Sequence, residues 1–233
     1  MAIIRVNEPF AALPKVPTPH RCAAPGAEDL EVDRGLLELS GVDLQSGSVD
    51  FDEITEAEDM LIEDSIVHGV DLTPMGGSTL DIVRSSLDQC DLSRLTVRSI
   101  RASQVVGAKL VGTELSGSLL TDVVFEHCTF RYANLRMATL RRVCFAECQF
   151  VDVDAFEATM EDVDFEGSTI AELNVDRLSA ARVDLRRAST IDLTGVGNLR
   201  GLLVAEEQLP ALAYQLAAAA GLDIEASAEQ EAL

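Results

Sequence analysis

The sequence predicts an all-β solenoid, a right-handed quadrilateral β-helix closed by a C-terminal α-helix. Three observations carry this. A large apolar residue recurs every five positions from Leu110 to Thr190, and 14 of those 17 positions hold one. A second series two residues earlier, Ala108, Thr113, Ser118, Val123, Cys128 and onward to Ala188, is small or apolar throughout. The residues around both are mostly polar, and neither the 3.6-residue helix period nor the two-residue strand period yields this beat. Five residues with two inward positions make one short side of a coil. Four sides close a turn of about 20 residues, and stacked turns share ladder hydrogen bonds.

Residues 1–36 precede the beat. Five of the seven Pro lie in the first 30 residues, which predicts a Pro-rich N-terminal arm or cap. Residues 37–204 form the β-helix. Leu39, Leu44 and Val49 run in one phase, Val67 to Ala102 in a second, and Leu110 onward in a third. The steps from Val49 to Ala57 and from Ala102 to Leu110 are each eight residues, so small insertions are expected near 50–56 and 103–107. Residues 205–222 read as a capping or dimerisation helix. Glu206 and Glu207 suit its N-terminus, Pro210 its first turn and Gly221 its end. Leu209, Leu212, Leu216 and Ala220 share one stripe. The last stretch, 223–233, is expected to be a disordered tail.

Stacking at a 20-residue interval makes side-chain predictions. Phe125, Phe145 and Phe165 form one buried column, and Phe130 and Phe150 another. Cys128 and Cys148 stack inward as reduced thiols, while Cys144 and His127 point outward. Asp122, Arg142, Asp162 and Arg182 make a column of alternating sign. Glu157 should meet Arg177, Glu166 Arg186, Asp64 Arg84 and Asp81 Arg101, each pair worth roughly 0.2–1 kcal/mol. Arg136 should lie against Phe156.

The units ANLRM (133–137), ATLRR (138–142) and VDFEG (163–167) keep phase without interruption. This pattern resembles the pentapeptide repeat protein family over about Leu37 to Thr190. The resemblance implies the quadrilateral β-helix. Some members resembling mycobacterial and plasmid quinolone-resistance proteins occupy the DNA saddle of DNA gyrase, and there a C-terminal helix of this kind makes a head-to-head dimer. The resemblance therefore implies DNA mimicry toward gyrase, with a homodimer through Leu209, Leu212, Leu216 and Ala220.

Charge bears on that implication. The chain of 233 residues carries 18 Lys plus Arg against 40 Asp plus Glu, a formal net charge of -22. Direct nucleic-acid binding needs the opposite sign. Residues 37–190 make a rod of roughly 37 Å at ~4.8 Å per coil, and B-DNA of that length carries about 22 charges. The acid is uneven: -11 over 1–64, +1 over 65–150, -6 over 151–204 and -6 over 205–233. The surface acids expected to bind a partner are Asp152, Asp154, Glu157, Glu161, Asp162, Asp164 and Glu166. The alternative is a general scaffold or interaction module for another protein, its surface charges mainly structural. A continuous acidic stripe favours mimicry, and mixed ion-pair ladders on all sides favour the scaffold.

No phosphate loop, HExxH or nucleophile elbow is present, and the carboxylates sit on convex sides without enclosure. His20, His68 and His127 are scattered. A non-enzymatic protein is expected, without cofactor, metal or membrane span. Five Cys without framework spacing point to a cytoplasmic setting.

Overall fold

The computed structural model describes residues 32–47, 51, 54 and 57–222. Those residues form a right-handed β-solenoid of about eight turns with one C-terminal helix. The expected arm over 1–31, including His20 and Cys22, and the tail over 223–233 lie outside them.

The four sides are set by their buried central residues. The first side carries Leu120, Leu140 and Met160, the second Phe125, Phe145, Phe165 and Leu185. The third carries Leu110, Phe130, Phe150 and Ile170, the fourth Leu115, Leu135, Ala155 and Val175. Parallel pairing fixes the interval: Leu120 pairs with Leu140, Leu140 with Met160, and Phe130 with Phe150. Strands such as Leu119–Glu126 and Thr139–Ala146 run through a corner, because one residue there leaves the ladder.

That corner residue is left-handed. Asp122, Arg142, Asp162 and Arg182 have φ of 58°, 51°, 55° and 55°. His127 and Glu147, Tyr132 and Asp152, and Met137, Glu157 and Arg177 do the same at the other three corners. Such a conformation costs a non-glycine residue roughly 1–2 kcal/mol, so each turn holds up to four strained positions against its packing. Gly112 and Gly117 take two of these corners without that cost, at φ 63° and 66°. An Asp or Asn just before a central residue braces many sides. Its side-chain oxygen accepts from the backbone N–H two residues on, at 3.1 Å from Arg136 to Asn134 and 2.9 Å from Phe156 to Asp154.

The core is as expected. Phe125 and Phe145 stack at 5.2 Å between centroids, Phe145 and Phe165 at 5.0 Å, and Phe130 and Phe150 at 4.9 Å. Edge-to-face contacts join the columns, with Phe145 at 5.5 Å from Phe130 and 5.1 Å from Phe150. Cys128 and Cys148 are buried free thiols.

Phase slips differ from expectation in one case of two. The first turn is three residues longer than the regular interval, since Leu37 pairs with Met60 and Leu44 with Val67. The residues that hold the extra length fall mostly outside the described ones. At the second slip nothing is inserted near 103–107. The strand Thr96–Val106 runs straight through. The turn is instead two residues short between Asp91 and Ser99, since Asp71 lies level with Asp91 but Asp81 with Ser99. Ala102 is a corner residue at φ 49°, not a central one. Asp81 consequently meets Arg98 rather than Arg101. A third slip of one residue lies in the last turn, where Ile170 pairs with Ile191. Ile191 fills the core in place of Thr190, which is exposed.

Cys144 has the expected direction but a burial that direction alone does not give. It projects outward between Val124 and Asp164 in register, yet is only 1% exposed. The same column continues to Asp184, and both aspartates are 3% exposed. Two arginines bond to this column, Arg187 from one turn above Asp164 and Arg186 from the same turn as Asp184. Arg187 bonds to Asp164 and, at 2.6 Å, to Glu166, and Arg186 bonds to Asp184 at 2.6 Å. Burial pushes the Cys144 thiol up to about 12. Burial also raises the Asp164 carboxyl, with Arg187 opposing, and Asp164 Oδ1 has no hydrogen-bond partner. Burial acts on Asp184 too, but hydrogen bonds from the Arg186 side chain and backbone outweigh it and hold that carboxyl low.

The far end is closed by Gln208. Its Oε1 accepts from the Ala205 N–H at 2.8 Å, and its Nε2 donates to the Leu185 and Ala188 carbonyls at 2.9 and 3.1 Å. The helix Leu209–Ala219 follows, after a 3-10 turn over Glu206–Gln208. At the near end Val32–Asp33 folds back antiparallel on Leu36–Leu37.

Two outcomes follow from this packing. Phe145→Ala removes a ring that touches four others, and its expected cost is about 3–5 kcal/mol, read as a lower denaturant midpoint. Asp164 and Asp184 should respond oppositely to pH. The raised Asp164 group favours the fold most when protonated, so Asp164→Asn should compare better with wild type at about pH 7 than at about pH 3. The lowered Asp184 group stabilises while ionised, so Asp184→Asn should compare worse at neutral pH than in acid. Thermal midpoints of both variants across that range check the crossing.

Candidate interaction surface

Outward side chains stand in columns one coil apart, so the surface is a grid. On the corner after the first side, Arg142 bonds to Asp122 at 2.5 and 2.7 Å, and Arg182 bonds to Asp162. Hydrogen bonds from these guanidiniums hold the Asp122 and Asp162 carboxyls low. Arg84 bonds to Asp64 at 2.7 Å in the same column, as the 20-residue spacing predicts. Arg141 and Arg182 flank Glu161 at 3.7 and 3.4 Å.

The second side carries His68 at 2.9 Å from Asp88 and His127 at 3.3 Å from Glu147. Both imidazoles point outward, each with a carboxylate one coil above. Arg187 completes this side, bridging Asp164 and Glu166. The extra residue in the last turn puts Arg187, not Arg186, above Glu166.

The fourth side combines an amide ladder with an aromatic one. Asn134 donates to Glu114 at 2.9 Å and Asn174 to Asp154 at 3.0 Å. Arg136 lies 4.3 Å from the Phe156 ring centroid, as expected, and also bonds to Asp154 at 2.8 Å. Arg177 covers the same ring at 5.3 Å and pairs with Glu157 at 2.8 Å. Phe156 is thus held between two guanidiniums.

The seven acids expected to bind a partner therefore do not form one stripe. Asp152 and Asp154 belong to the third corner and fourth side, Glu157 to the next corner, Glu161 and Asp162 to the first side, and Asp164 and Glu166 to the second. Asp154, Glu157, Glu161, Asp162, Asp164 and Glu166 are each ion-paired with arginine. Asp164 is buried as well, so it is not a surface group. Asp152 is exposed and makes no ion pair among the described residues.

Sequence reasoning did not single out two exposed apolar side chains. Tyr132 is 58% exposed and Met137 57%, on successive corners of one coil. The legible signal was a large apolar residue two positions after a central one, where charge or Gly is usual in this chain.

The helix stripe divides. Leu212 is buried, and Leu216 is partly buried against the core. Leu209 and Ala220 are exposed, as are Tyr214 and Leu222. Half the stripe seats the helix on the last coil, and the other half faces outward. No described helix is long and apolar enough to cross a membrane. Among the described residues no cluster of three His, Cys, Asp or Glu could hold a metal ion.

Residues 99–175 match the family model described as pentapeptide repeat region. No curated protein matches the chain in sequence. Among solved structures it is similar to HetL, a pentapeptide repeat protein involved in heterocyst differentiation regulation from the cyanobacterium Nostoc. That match is 17% identical, covers 68% of this chain and 70% of HetL, and has a TM-score of 0.49. A trypsin-treated form of QnrB1, a plasmid-mediated fluoroquinolone resistance protein, matches at 14% identity over 84% of this chain and 96% of its own, with a TM-score of 0.48. Rfr23, a pentapeptide repeat protein from the cyanobacterium Cyanothece, matches at 11% identity, 72% and 88% coverage and a TM-score of 0.25. The matched stretch, a pentapeptide repeat region, shares its 20-residue register with the coils on either side of it.

Proposed function

We propose that the chain is a non-catalytic interaction module that recognises a protein partner through side-chain texture rather than through a uniform acidic surface. The single observation behind this reading is the ladder of ion pairs. Six of the seven expected partner-binding acids already hold an arginine, and the pairs are spread over three sides of the solenoid. A guanidinium from an adjacent coil beside each carboxylate cancels the local field that a phosphate-like surface needs. What remains distinctive on the middle coils is Tyr132, Met137 and the Arg136–Phe156–Arg177 stack. Tyr, Met and Arg are the types that protein interfaces favour. Tyr132→Ala combined with Met137→Ala should leave the thermal midpoint near wild type, because both side chains are exposed. The double variant should lose partners that the wild-type protein retains in quantitative pull-downs. Equal retention by the two proteins would falsify this reading.

A second reading, DNA mimicry toward gyrase, has one observation in its favour. The net charge of -22 is close to that of a B-DNA segment as long as the solenoid. On this reading the acids Asp152, Asp154, Glu157, Glu161, Asp162 and Glu166 make the contact, and the outward half of the helix, with Leu209 and Ala220, pairs two copies. The protein would then act in the cytoplasm. A gyrase supercoiling assay with and without a fluoroquinolone separates the readings. Mimicry requires inhibition or drug protection at micromolar protein, weakened by Asp152→Lys with Glu157→Lys. No effect at tens of micromolar is expected if the interaction module has another partner.

A further inference from the structure

Three sides of the solenoid are stitched from coil to coil by ion pairs along their length, and the third side is not beyond the coil of Lys109 among the described residues. Its last inter-coil pair is Lys109 with Asp91, at 3.7 Å. Above it the outward residues of the strands Lys109–Val111, Thr129–Arg131 and Gln149–Val151 form rows of Thr, Gln and Val with single charges. Among the described residues, Arg94, Arg131, Asp152 and Glu172 make no ion pair, and all four are exposed. Other sides use such residues to hold neighbouring coils together. Here Arg131, Asp152 and Glu172 are spare, while Arg94 lies in the field of Asp71.

Their order along the axis is polar. Arg94, Lys109 and Arg131 lie toward the N-terminal end of this side, where Asp71 and Asp91 offset the first two and leave Arg131 uncompensated. Asp152, Glu172 and Asp192 lie toward the other. Between them run Val111, Tyr132, Val151 and Ala171, an apolar strip that includes a tyrosine 58% exposed. A surface with base at one end and acid at the other complements itself when turned end for end. An axis in the plane of this side, crossing it between the coils of Tyr132 and Asp152, does this. It sets Arg131 beside Asp152 of a second copy and Arg94 beside Asp192 of that copy. Val111 then faces Ala171, and Tyr132 covers the row that carries Val151. Closed two-fold pairing of this kind satisfies both copies at once.

We propose that the third side is a self-association surface, on which two copies pair antiparallel, side by side, through Arg131–Asp152 and Arg94–Asp192 contacts around Tyr132. This pairing is distinct from any contact made by the C-terminal helix. From the coil of Arg94 to that of Asp192 is five coil steps, roughly 24 Å. A face of that length and one side's width buries less than the ~800 Å² per partner of permanent dimers, so dissociation in the range of tens of micromolar is expected. At about 0.15 M salt the ~8 Å screening length confines repulsion between the acidic chains to the facing surfaces.

Charge reversal tests the register. Sedimentation equilibrium of the full chain should show a monomer–dimer equilibrium. Arg131→Glu should weaken it at least tenfold, because it faces Asp152 of the other copy. Combining Arg131→Glu with Asp152→Arg should restore it, since the swapped pair meets again across the axis. Tyr214→Glu, on the exposed face of the C-terminal helix, should leave it unchanged. Unaltered thermal midpoints show that the variants fold. A monomer at several hundred micromolar overturns the proposal. So does a dimer insensitive to Arg131→Glu but lost with Tyr214→Glu, which places the contact on the helix. A double swap that fails to restore the dimer overturns the antiparallel register.

Discussion

Everything in this molecule follows from a parallel hydrogen-bond ladder that repeats each turn of chain about 4.8 Å above the last. The ladder makes the residue one turn away, rather than the residue three or four away, the controlling neighbour. Phe145 meets Phe125 and Phe165 for this reason, and Arg142 meets Asp122. It also dictates the corners. A side of five residues must turn a right angle within one residue, and left-handed φ at Asp122, Arg142, Asp162 and Arg182 supplies that turn. Strain at each corner is tolerated because the core columns on both sides over-determine the path.

The same constraint explains how much could be read from sequence. Where the interval was regular, neighbours were legible to the residue. The phenylalanine columns, the Asp122–Arg142 and Asp162–Arg182 pairs, Glu157–Arg177 and the Arg136–Phe156 contact all follow from adding 20. Where the interval slipped, the arithmetic failed locally. A phase change tells how many residues were gained or lost modulo five, not where or in which direction. Three added residues and two removed ones look alike. The turn through Val97 and Ile100 loses two, so Asp81 takes Arg98 instead of Arg101. The extra residue before Ile191 likewise hands Glu166 to Arg187.

Burial on the outer face was the other blind spot. Periodicity says which way Cα–Cβ bonds point. It does not say where a long side chain lies down. Arg186 and Arg187 extend along the surface to reach Asp184 and Asp164, and Cys144, Asp164 and Asp184 end nearly as buried as the core. An outward position therefore becomes interior when an arginine of sufficient reach, from the turn above or from the same turn, bonds to a carboxylate in its column. Direction alone places Asp164 among the partner-facing acids, and that roof removes it from the surface.

Net charge and displayed charge part company for the same reason. Forty acids against 18 bases suggest a uniformly negative rod. The ladder, however, brings most described arginines of the later coils to acids one turn away, among them Arg142, Arg177, Arg182 and Arg187. The negative excess is then left to whichever acids have no basic residue at the same place in the adjacent turn. On the third side the columns offer no such match: Arg131 has Val111 below it and Val151 above, and Asp152 lies between Tyr132 and Glu172. Charges there are left for something outside the chain to satisfy. In a solenoid the cohesion of the rod and the recognition of a partner compete for the same outward grid, so the side that does least for cohesion is the side with most to offer in binding.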